Sequence, residues 1–272
     1  MSITTQTLAP LTRTDLRPRP AGLRRDIATV AGRALRAIPR EIEAVVPAIF
    51  IAVFFFLVNI GTLDRVTESI PNFDYPSFSL PTAVLLGVTG VTRAYAFTVD
   101  IQDGYFDRLL MTPIRRLAIL LGQMTADLAV AGALAIPIII IGFIAGVRFE
   151  AGPLGILAFI IIAAMWCLAY AGFAYAIALK TGNPAAVQSS FLMFFPFLFL
   201  TTSYVPREQL SGWLDTVAGL NPVTYILEGE RSLIFEGWNW AELGKALLAI
   251  SIVGAVSMAM CFASMKGRIK KG

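Results

Sequence analysis

The sequence alternates long apolar blocks with short polar segments. Six blocks are about as long as a bilayer is thick, at Ala44–Ile60, Leu80–Val99, Leu117–Val147, Leu154–Leu179, Val187–Val205 and Leu243–Met265. A helix needs roughly 20 apolar residues to cross the hydrocarbon core, whereas a soluble core spaces its apolar residues at helical or strand periods. The pattern therefore predicts an all-α polytopic membrane protein with six transmembrane helices, within a transmembrane domain at 41–265.

Composition supports this class and excludes many kinds of chemistry. The 272 residues are 57% hydrophobic and 15% charged, and the chain contains no histidine. A Ser-His or Cys-His nucleophile, a HExxH zinc site and a histidine proton relay are therefore impossible within this chain. A GxxxxGK[ST] phosphate loop is also absent, so another chain must bind ATP if ATP drives this protein. We expect this chain to have no catalytic site, no bound cofactor and no metal site.

The positive charges fall mostly on one side of the predicted bundle. Sixteen of the 22 Lys and Arg residues precede the first block, follow the second or fourth, or lie in the tail, and four lie in the opposite loops. Because cytoplasmic loops are enriched in Lys and Arg, this distribution places both termini and the segment 100–116 in the cytoplasm. The topology explains the net charge of +4, and we predict no nucleic-acid partner.

Residues 23–40 are predicted to form an amphipathic helix at the membrane surface. Its apolar face contains Leu23, Ile27, Val30, Ala31, Ala34, Leu35 and Ile38, with Arg25, Arg33, Arg36 and Arg40 opposite. Such a helix lies in the headgroup layer with its arginines near anionic lipids. It is either an anchor or a lever that contacts a cytoplasmic partner. Residues 1–22 are expected to be a disordered cytoplasmic tail, and residues 266–272 a basic one.

The outer segment 206–240 is too apolar for a solvated loop and too charged for a span. It is either a folded extracellular cap or a pair of short helices that enter the outer leaflet, since irregular backbone at membrane depth requires surrounding protein or a wet cavity. Glu228, Glu230 and Arg231 in this segment are expected to pair with one another or to line an exit.

Two charges lie inside predicted spans, Arg93 in the second and Asp127 in the third. A charge at that depth costs roughly 2.5–3.5 kcal/mol on insertion scales, so a partner is expected. Their depths permit an Arg93–Asp127 pair, and the alternative is that Arg93 extends towards the inner surface.

The segment 100–116 is predicted to be a short helix parallel to the membrane. Ile101, Tyr105, Phe106, Leu109 and Leu110 form an apolar side, and Asp100, Asp103 and Asp107 lie opposite. A plain connector needs neither these side chains nor this length, since the median connection is about 4–6 residues. We therefore favour a binding site for a cytosolic subunit over a solvated loop.

Two motifs resemble those of a known family. DGYFDRLLMTP at 103–113 resembles the segment after the second span of type-2 ABC transporter permeases, and LNPVTYILEGER at 220–231 resembles their motif before the last span. The likeness, which is greatest to the daunorubicin-resistance and nodulation-exporter branch, runs from about residue 80 to 265. It departs at Asp103 and Tyr105, where many members have Glu and Thr.

The resemblance implies a coupling helix at 100–113 that contacts an ATP-binding cassette ATPase subunit. Its coupling residues would be Asp103, Gly104, Tyr105, Asp107, Leu109, Thr112 and Pro113. Gly104 would allow close backbone approach, and Asp107 would meet a basic groove. The resemblance also implies two ATPase subunits carrying ATP and Mg, a second permease copy or paralogue, and re-entrant helices at 206–240 that include Asn221, Pro222 and Tyr225.

These observations together predict the permease subunit of an ATP-driven exporter in a bacterial plasma membrane. It would move a hydrophobic, drug-like or lipid-linked substrate outward. The main alternative is an ion-coupled secondary transporter that acts without an ATPase. A membrane-embedded enzyme ranks last, because the chain has neither histidine nor an intramembrane pair of acids.

Overall fold

The computed structural model describes residues 22–37, 42–67, 73–111 and 116–269. Within these ranges the chain consists of α-helices, a single 3-10 turn at Arg207–Gln209 and the loops that join them. The helices are α1 (Leu23–Ala37), α2 (Ile42–Thr67), α3 (Tyr75–Thr89), α4 (Ala94–Gln102), α5 (Tyr105–Leu110), α6 (Arg116–Ile144), α7 (Gly152–Thr181), α8 (Pro184–Phe199), α9 (Trp213–Leu220), α10 (Pro222–Phe235) and α11 (Trp240–Ile269).

Five helical stretches in the described ranges are long and apolar enough to cross a membrane. They are Val45–Leu63, Tyr75–Gln102, Leu117–Ile144, Gly152–Thr181 and Trp240–Gly267. They match five of the six predicted blocks and confirm the all-α polytopic fold.

The remaining block, Val187–Val205, is helical only as far as Phe199. Helix α8 has 16 residues, which gives about 24 Å of helix against a hydrocarbon core of about 30 Å. The hydroxyls of Thr201 and Ser203 both donate to the carbonyl of Leu198, at 2.6 and 2.8 Å. Hydroxyls that bond to nearby backbone compete with helix continuation, and the chain is irregular from residue 200 to 205.

Helix α7 lies at the centre of the bundle and packs against α3, α4, α6, α8, α10 and α11. Its buried face is rich in alanine, which lets neighbouring helices approach closely. At Gly172 an added Cβ would lie 2.8 Å from the Cβ of Ser257 in α11. Close packing against its neighbours therefore fixes the position of this helix.

The N-terminal helix α1 packs along α6 rather than standing apart from the bundle. Its buried residues are Asp26, Val30, Ala31 and Ala34. A Cβ added at Gly122 of α6 would lie 2.6 Å from the Cβ of Val30, so glycine is what allows this contact.

The structure tests the predicted boundary at the C-terminal end but only part of those at the N-terminal end. Residues 38–40 of the predicted amphipathic helix and residues 1–21 of the predicted tail lie outside the described residues. The predicted basic tail at 266–272 begins inside α11, which continues to Ile269.

Candidate functional site

Residues 94–110, the α4–α5 segment, form two short helices joined by a tight turn. Helix α4 ends at Gln102, and Gly104 has a φ of 68°, a backbone conformation that glycine adopts without strain. The predicted single helix over 100–113 is therefore wrong, because this glycine turn interrupts it. The rings of Phe97 and Phe106 pack edge to face across the turn, with centroids 5.3 Å apart.

Helix α1 contacts both halves of the α4–α5 segment through one arginine. The guanidinium of Arg33 donates to the carboxylate of Asp100, with the closest pair of atoms 3.0 Å apart. The same guanidinium lies 4.0 Å from the centroid of the Tyr105 ring. Arg33 therefore joins the last turn of α4 to the first residue of α5.

The predicted coupling residues are described to different extents. Asp103 is exposed and Tyr105 is half-buried, while Leu109 packs against a cluster formed by α4, α6, α7 and α11. Asp107 lies in α5, but its side chain is outside the described residues, and so are Thr112 and Pro113. A Cβ added at Gly104 would meet no atom of the described residues beyond its two chain neighbours within 4 Å, so the described part of the turn is open on that side.

The second membrane stretch is broken at residues 90–93, between α3 and α4. Asp127 of α6 accepts a hydrogen bond from the backbone N–H of Arg93 at 2.7 Å, and another from the hydroxyl of Tyr175 at 2.6 Å. The Nε of Arg93 donates to Gln123 at 3.2 Å. Arg93 and Asp127 thus lie next to each other, with Asp127 bonded to the backbone of Arg93, and the ion pair between their side chains stays a prediction.

Several residues of this break were not identified from the sequence. Tyr175 and Gln123 supply contacts to Asp127 and Arg93, and the indole of Trp166 donates to the hydroxyl of Thr89 at 3.0 Å. Backbone groups freed inside a membrane must find new partners, because no water is available there. The signal in the sequence that could have identified these residues is that they are polar side chains inside otherwise apolar blocks.

On the predicted outer side, Asn221 joins α10 to the end of α8. Its side-chain oxygen accepts from the N–H of Val223, which caps α10, and its amide donates to the carbonyls of Phe197 and Leu200 at 2.6 and 2.9 Å. Pro222 is the first residue of α10, a position that needs no N–H. The Tyr225 hydroxyl donates to the carbonyl of Gly219 at 2.6 Å, which ties α10 back to α9.

Arg231 fastens the middle of α10 to α3 and to the irregular stretch after α8. Its guanidinium donates to the carbonyl of Phe78 at 3.0 Å and to the hydroxyl and carbonyl of Thr202 at 2.9 and 2.7 Å. It also lies 3.5 Å from the centroid of the Phe78 ring. We expected Arg231 to pair with Glu228 or Glu230 or to line an exit, and these hydrogen bonds go instead to neutral oxygens.

Glu230 is fully buried, and both of its carboxyl oxygens have no hydrogen-bond partner among the described residues. Burial raises the pKa of Glu230 well above its usual range, so the neutral acid is favoured. Glu228 is half-buried, and burial, aided by the neighbouring Glu242, raises its pKa as well. Within the described part of the chain, no group of three acidic or cysteine side chains could hold a metal ion.

A cavity of about 660 Å³ lies beside the break in the second membrane stretch. Its walls come from α2, α3, α4, α7 and α8, and they are mainly apolar. Asp100, the partner of Arg33, also forms part of its wall. The cavity and the α4–α5 segment therefore share a residue.

The sequence profile described as ABC-2 type transporter matches residues 21–235, which is most of the chain. This chain belongs to the ABC-2 type transporter family. The match covers the α4–α5 segment and α10, the two regions that carry the motifs. It confirms the resemblance to type-2 ABC permeases.

Similar proteins include three named permeases. The daunorubicin resistance ABC transporter permease protein DrrB1 of Streptomyces coeruleorubidus is 24% identical over 203 residues, 74% of this chain and 70% of the relative. The probable multidrug ABC transporter permease YbhR of Escherichia coli K12 is 25% identical over 198 residues, 70% of this chain and 53% of the relative. The probable doxorubicin resistance ABC transporter permease protein DrrC of Mycobacterium tuberculosis is 22% identical over 209 residues, 75% of each chain.

This chain therefore spans about half the length of the E. coli relative. Membership in the family makes the chain a multi-pass membrane protein and a transmembrane permease subunit of an ABC transporter. ABC-2 permeases work with ATP-binding cassette ATPase partners.

Proposed function

We propose that this chain is the permease of an ATP-driven exporter and that the α4–α5 segment receives force from a cytosolic ATPase subunit. The observation that carries this proposal is the attachment of the segment to two other helices, α1 and α7. A segment held in this way passes a push on α5 to the bundle and does not absorb it by bending. Two ATPase subunits, which bind the ATP and Mg, and a second permease copy or paralogue would complete the complex.

The three attachments differ in chemistry, and two of them reach α7. The side-chain amide of Gln102 donates to the carbonyl of Gly182 at the end of α7, at 3.0 Å. Phe106 is buried and packs on Phe97, which in turn packs edge to face on Tyr175 of α7 at 5.7 Å. Arg33 supplies the attachment to α1. Because α7 is the central helix, movement of α5 would reach most of the bundle through it.

The orientation rests on the distribution of basic residues. The excess of Lys and Arg on the side of both termini supports a cytoplasmic location for the α4–α5 segment in a bacterial plasma membrane. On the other side, most residues of α10 are buried, and the helix packs among α3, α7 and α11. Its contact with α8, which is too short to span, supports a re-entrant position for 206–240.

The direction and the class of substrate are proposed from the relatives. Their names refer to resistance to daunorubicin and doxorubicin and to multidrug transport. We infer outward movement of a hydrophobic, drug-like or lipid-linked molecule. The two oxygens of Asp127 are bonded to a backbone N–H and a tyrosine hydroxyl, which disfavours this buried acid as the coupling site of an ion-driven transporter.

Charge reversal in α5 tests the proposal. In Asp107→Lys we expect co-purification of the cognate ATPase and transport-linked ATP hydrolysis to fall at least about tenfold, equivalent to about 1.4 kcal/mol, while membrane insertion is unchanged. Asp215→Lys is the matched control, because Asp215 is an exposed acid at the other end of the molecule, paired with Arg207 at 3.3 Å. Unchanged ATPase attachment and hydrolysis in Asp107→Lys would contradict the docking role. Transport by the purified chain alone would favour the ion-coupled alternative.

A further inference from the structure

The cavity beside α4 has the size of a small-molecule site. Its volume of about 660 Å³ falls within the roughly 300–1,000 Å³ typical of ligand pockets. It lies within one chain, between the first turns of α2 and α8 and the length of α4. Such a pocket accepts a molecule of drug or lipid-fragment size, with most of its surface against apolar walls.

Polar side chains form a minority of the cavity wall, and several of them are already hydrogen-bonded. The hydroxyl of Thr89 donates to the carbonyl of Leu85, and that of Ser190 donates to the carbonyl of Val187. Asp100 is the only charged side chain among the described residues of the wall. Arg93 is not part of the wall, and its Nε is engaged by Gln123. A carboxylate in a cavity with mainly apolar walls favours a ligand that carries a positive charge.

The present partner of Asp100 is weakly held. The side chains of Arg33 and Asp100 are 48% and 27% exposed, and an ion pair with that exposure contributes little to stability. A ligand cation with an apolar body loses little by displacing Arg33, because burial of the apolar body adds to the charge contact. The freed guanidinium would also leave the Tyr105 ring on which it lies.

We propose that this cavity binds a cationic amphiphile, whose charge replaces Arg33 on Asp100 and thereby releases the contact between α1 and α5. The proposed binding site depends only on the geometry of this chain. Its consequence, that occupancy of the cavity is passed to the ATPase through Arg33 and Tyr105, rests on the proposed function. The proposal makes Asp100 a ligand-binding residue and Arg33 a competitor for the same carboxylate.

Fluorescence from Trp166 offers a direct binding test. Trp166 donates to Thr89 of the cavity wall, and the other three tryptophans, Trp213, Trp238 and Trp240, are exposed. Replacement of those three by Phe leaves Trp166 as the sole donor for energy transfer to diphenylhexatriene probes in nanodiscs of zwitterionic lipid. The probes are the trimethylammonium cation, the neutral parent and the propionate anion, which share one fluorophore.

We expect saturable energy transfer with the cation, and linear partitioning without saturation for the neutral and anionic probes. In Asp100→Asn, half-saturation should require about tenfold more cation, equivalent to about 1.4 kcal/mol, and Asp100→Glu should restore binding. In Arg33→Gln, which removes the competitor but keeps the carboxylate, cation binding should be unchanged or tighter. Folding of each variant is checked by its melting temperature and elution profile.

Equal saturation by all three probes, or unchanged binding in Asp100→Asn, would overturn the proposal. So would a loss of binding in Arg33→Gln as large as in Asp100→Asn, because it would assign both residues a structural role only. These measurements use no ATPase, so they can fail or succeed independently of the docking role of α5. With the ATPase bound, the cation should lower hydrolysis in the parent chain, because it releases the attachment of α5 to α1, but not in Arg33→Gln, where that attachment is already absent. An equal decrease in that variant would refute the transmission step while leaving the binding site intact.

Discussion

Two arginines of this chain lie over aromatic rings in opposite surroundings. Arg33 in α1 lies 4.0 Å from the Tyr105 ring with its side chain 48% exposed, and its polar partner is a carboxylate. Arg231 in α10 lies 3.5 Å from the Phe78 ring and is only 7% exposed, and its polar partners are neutral oxygens. The ring contact is similar in the two places, and access to water is what differs.

The difference in exposure between Arg33 and Arg231 assigns different roles to the two ends of the molecule. An exposed ion pair is screened by water, contributes little to stability and exchanges partners readily. A buried guanidinium must have its donors satisfied inside the protein, and its removal leaves buried acceptors without partners. The Arg33 contact therefore suits a junction that moves, whereas the Arg231 contacts suit a fixed base for α10.

Replacement of the buried arginine should have the largest effect on stability. Arg231→Met keeps the length of the side chain but leaves the carbonyl of Thr202 and its hydroxyl without their donor. We expect a loss of about 2–4 kcal/mol in the free energy of unfolding, measured by thermal melting and by the yield of monodisperse protein in detergent. The matched control is Arg33→Met, for which we expect at most about 1 kcal/mol. Equal losses in both variants would remove the contrast between the two ends.

A pair of Asn-Pro caps provides a second test of the same contrast. Asn183 and Asn221 each cap a helix by accepting from the N–H two residues on, at 3.0 Å in both cases. Asn221 additionally donates to the carbonyls of Phe197 and Leu200, and it is buried, whereas Asn183 is exposed.

Asn→Asp keeps the cap at either position but removes both donors and places a carboxylate against two carbonyls at residue 221. We expect Asn221→Asp to lower the melting temperature, with a cost of about 1–3 kcal/mol. Asn183→Asp should be neutral or slightly stabilising, because a negative charge at a helix N-terminus is favourable. A cost at residue 183 equal to that at residue 221 would show that the cap, rather than the donated bonds, determines the effect.

The membrane-spanning architecture could be predicted from the sequence because block length and apolar composition are local properties. Five of the six predicted blocks are helices of spanning length, and the sixth is shortened by hydroxyls of Thr201 and Ser203 that bond to the carbonyl of Leu198. The turn at Gly104 was also local, but its effect on the predicted helix over 100–113 was missed. An apolar face at helical spacing continues across that glycine, so periodicity alone did not indicate the turn.

The polar contacts could not be predicted, because their partners are distant in the sequence and are mostly backbone atoms. The break at 90–93 depends on Asp127, 34 residues from Arg93, and Arg231 bonds to the carbonyl of Phe78, 153 residues away. No spacing rule identifies a carbonyl that lies far away in the chain. An arginine near two glutamates therefore suggested an ion pair, whereas the folded helix directs that arginine to neutral oxygens.

Arg33→Met is expected to have the smallest effect on stability but a measurable effect on transport-linked ATP hydrolysis. Arg33→Met should change the free energy of unfolding by less than about 1 kcal/mol, because the pair it breaks is exposed. Without the guanidinium over Tyr105, α5 loses its attachment to α1, and we expect transport-linked ATP hydrolysis to fall about two- to fivefold, which corresponds to about 0.5–1 kcal/mol.

Tyr105→Leu removes the same ring contact from the other side. If Arg33 acts on α5 through that ring, the double variant Arg33→Met/Tyr105→Leu should hydrolyse ATP no more slowly than the slower of the two single variants. If the losses of the two single variants add in the double variant, Arg33 affects hydrolysis by a route other than the Tyr105 ring. The exposed arginine would then hold the structure together, as the buried one does, and would not transmit movement to α5.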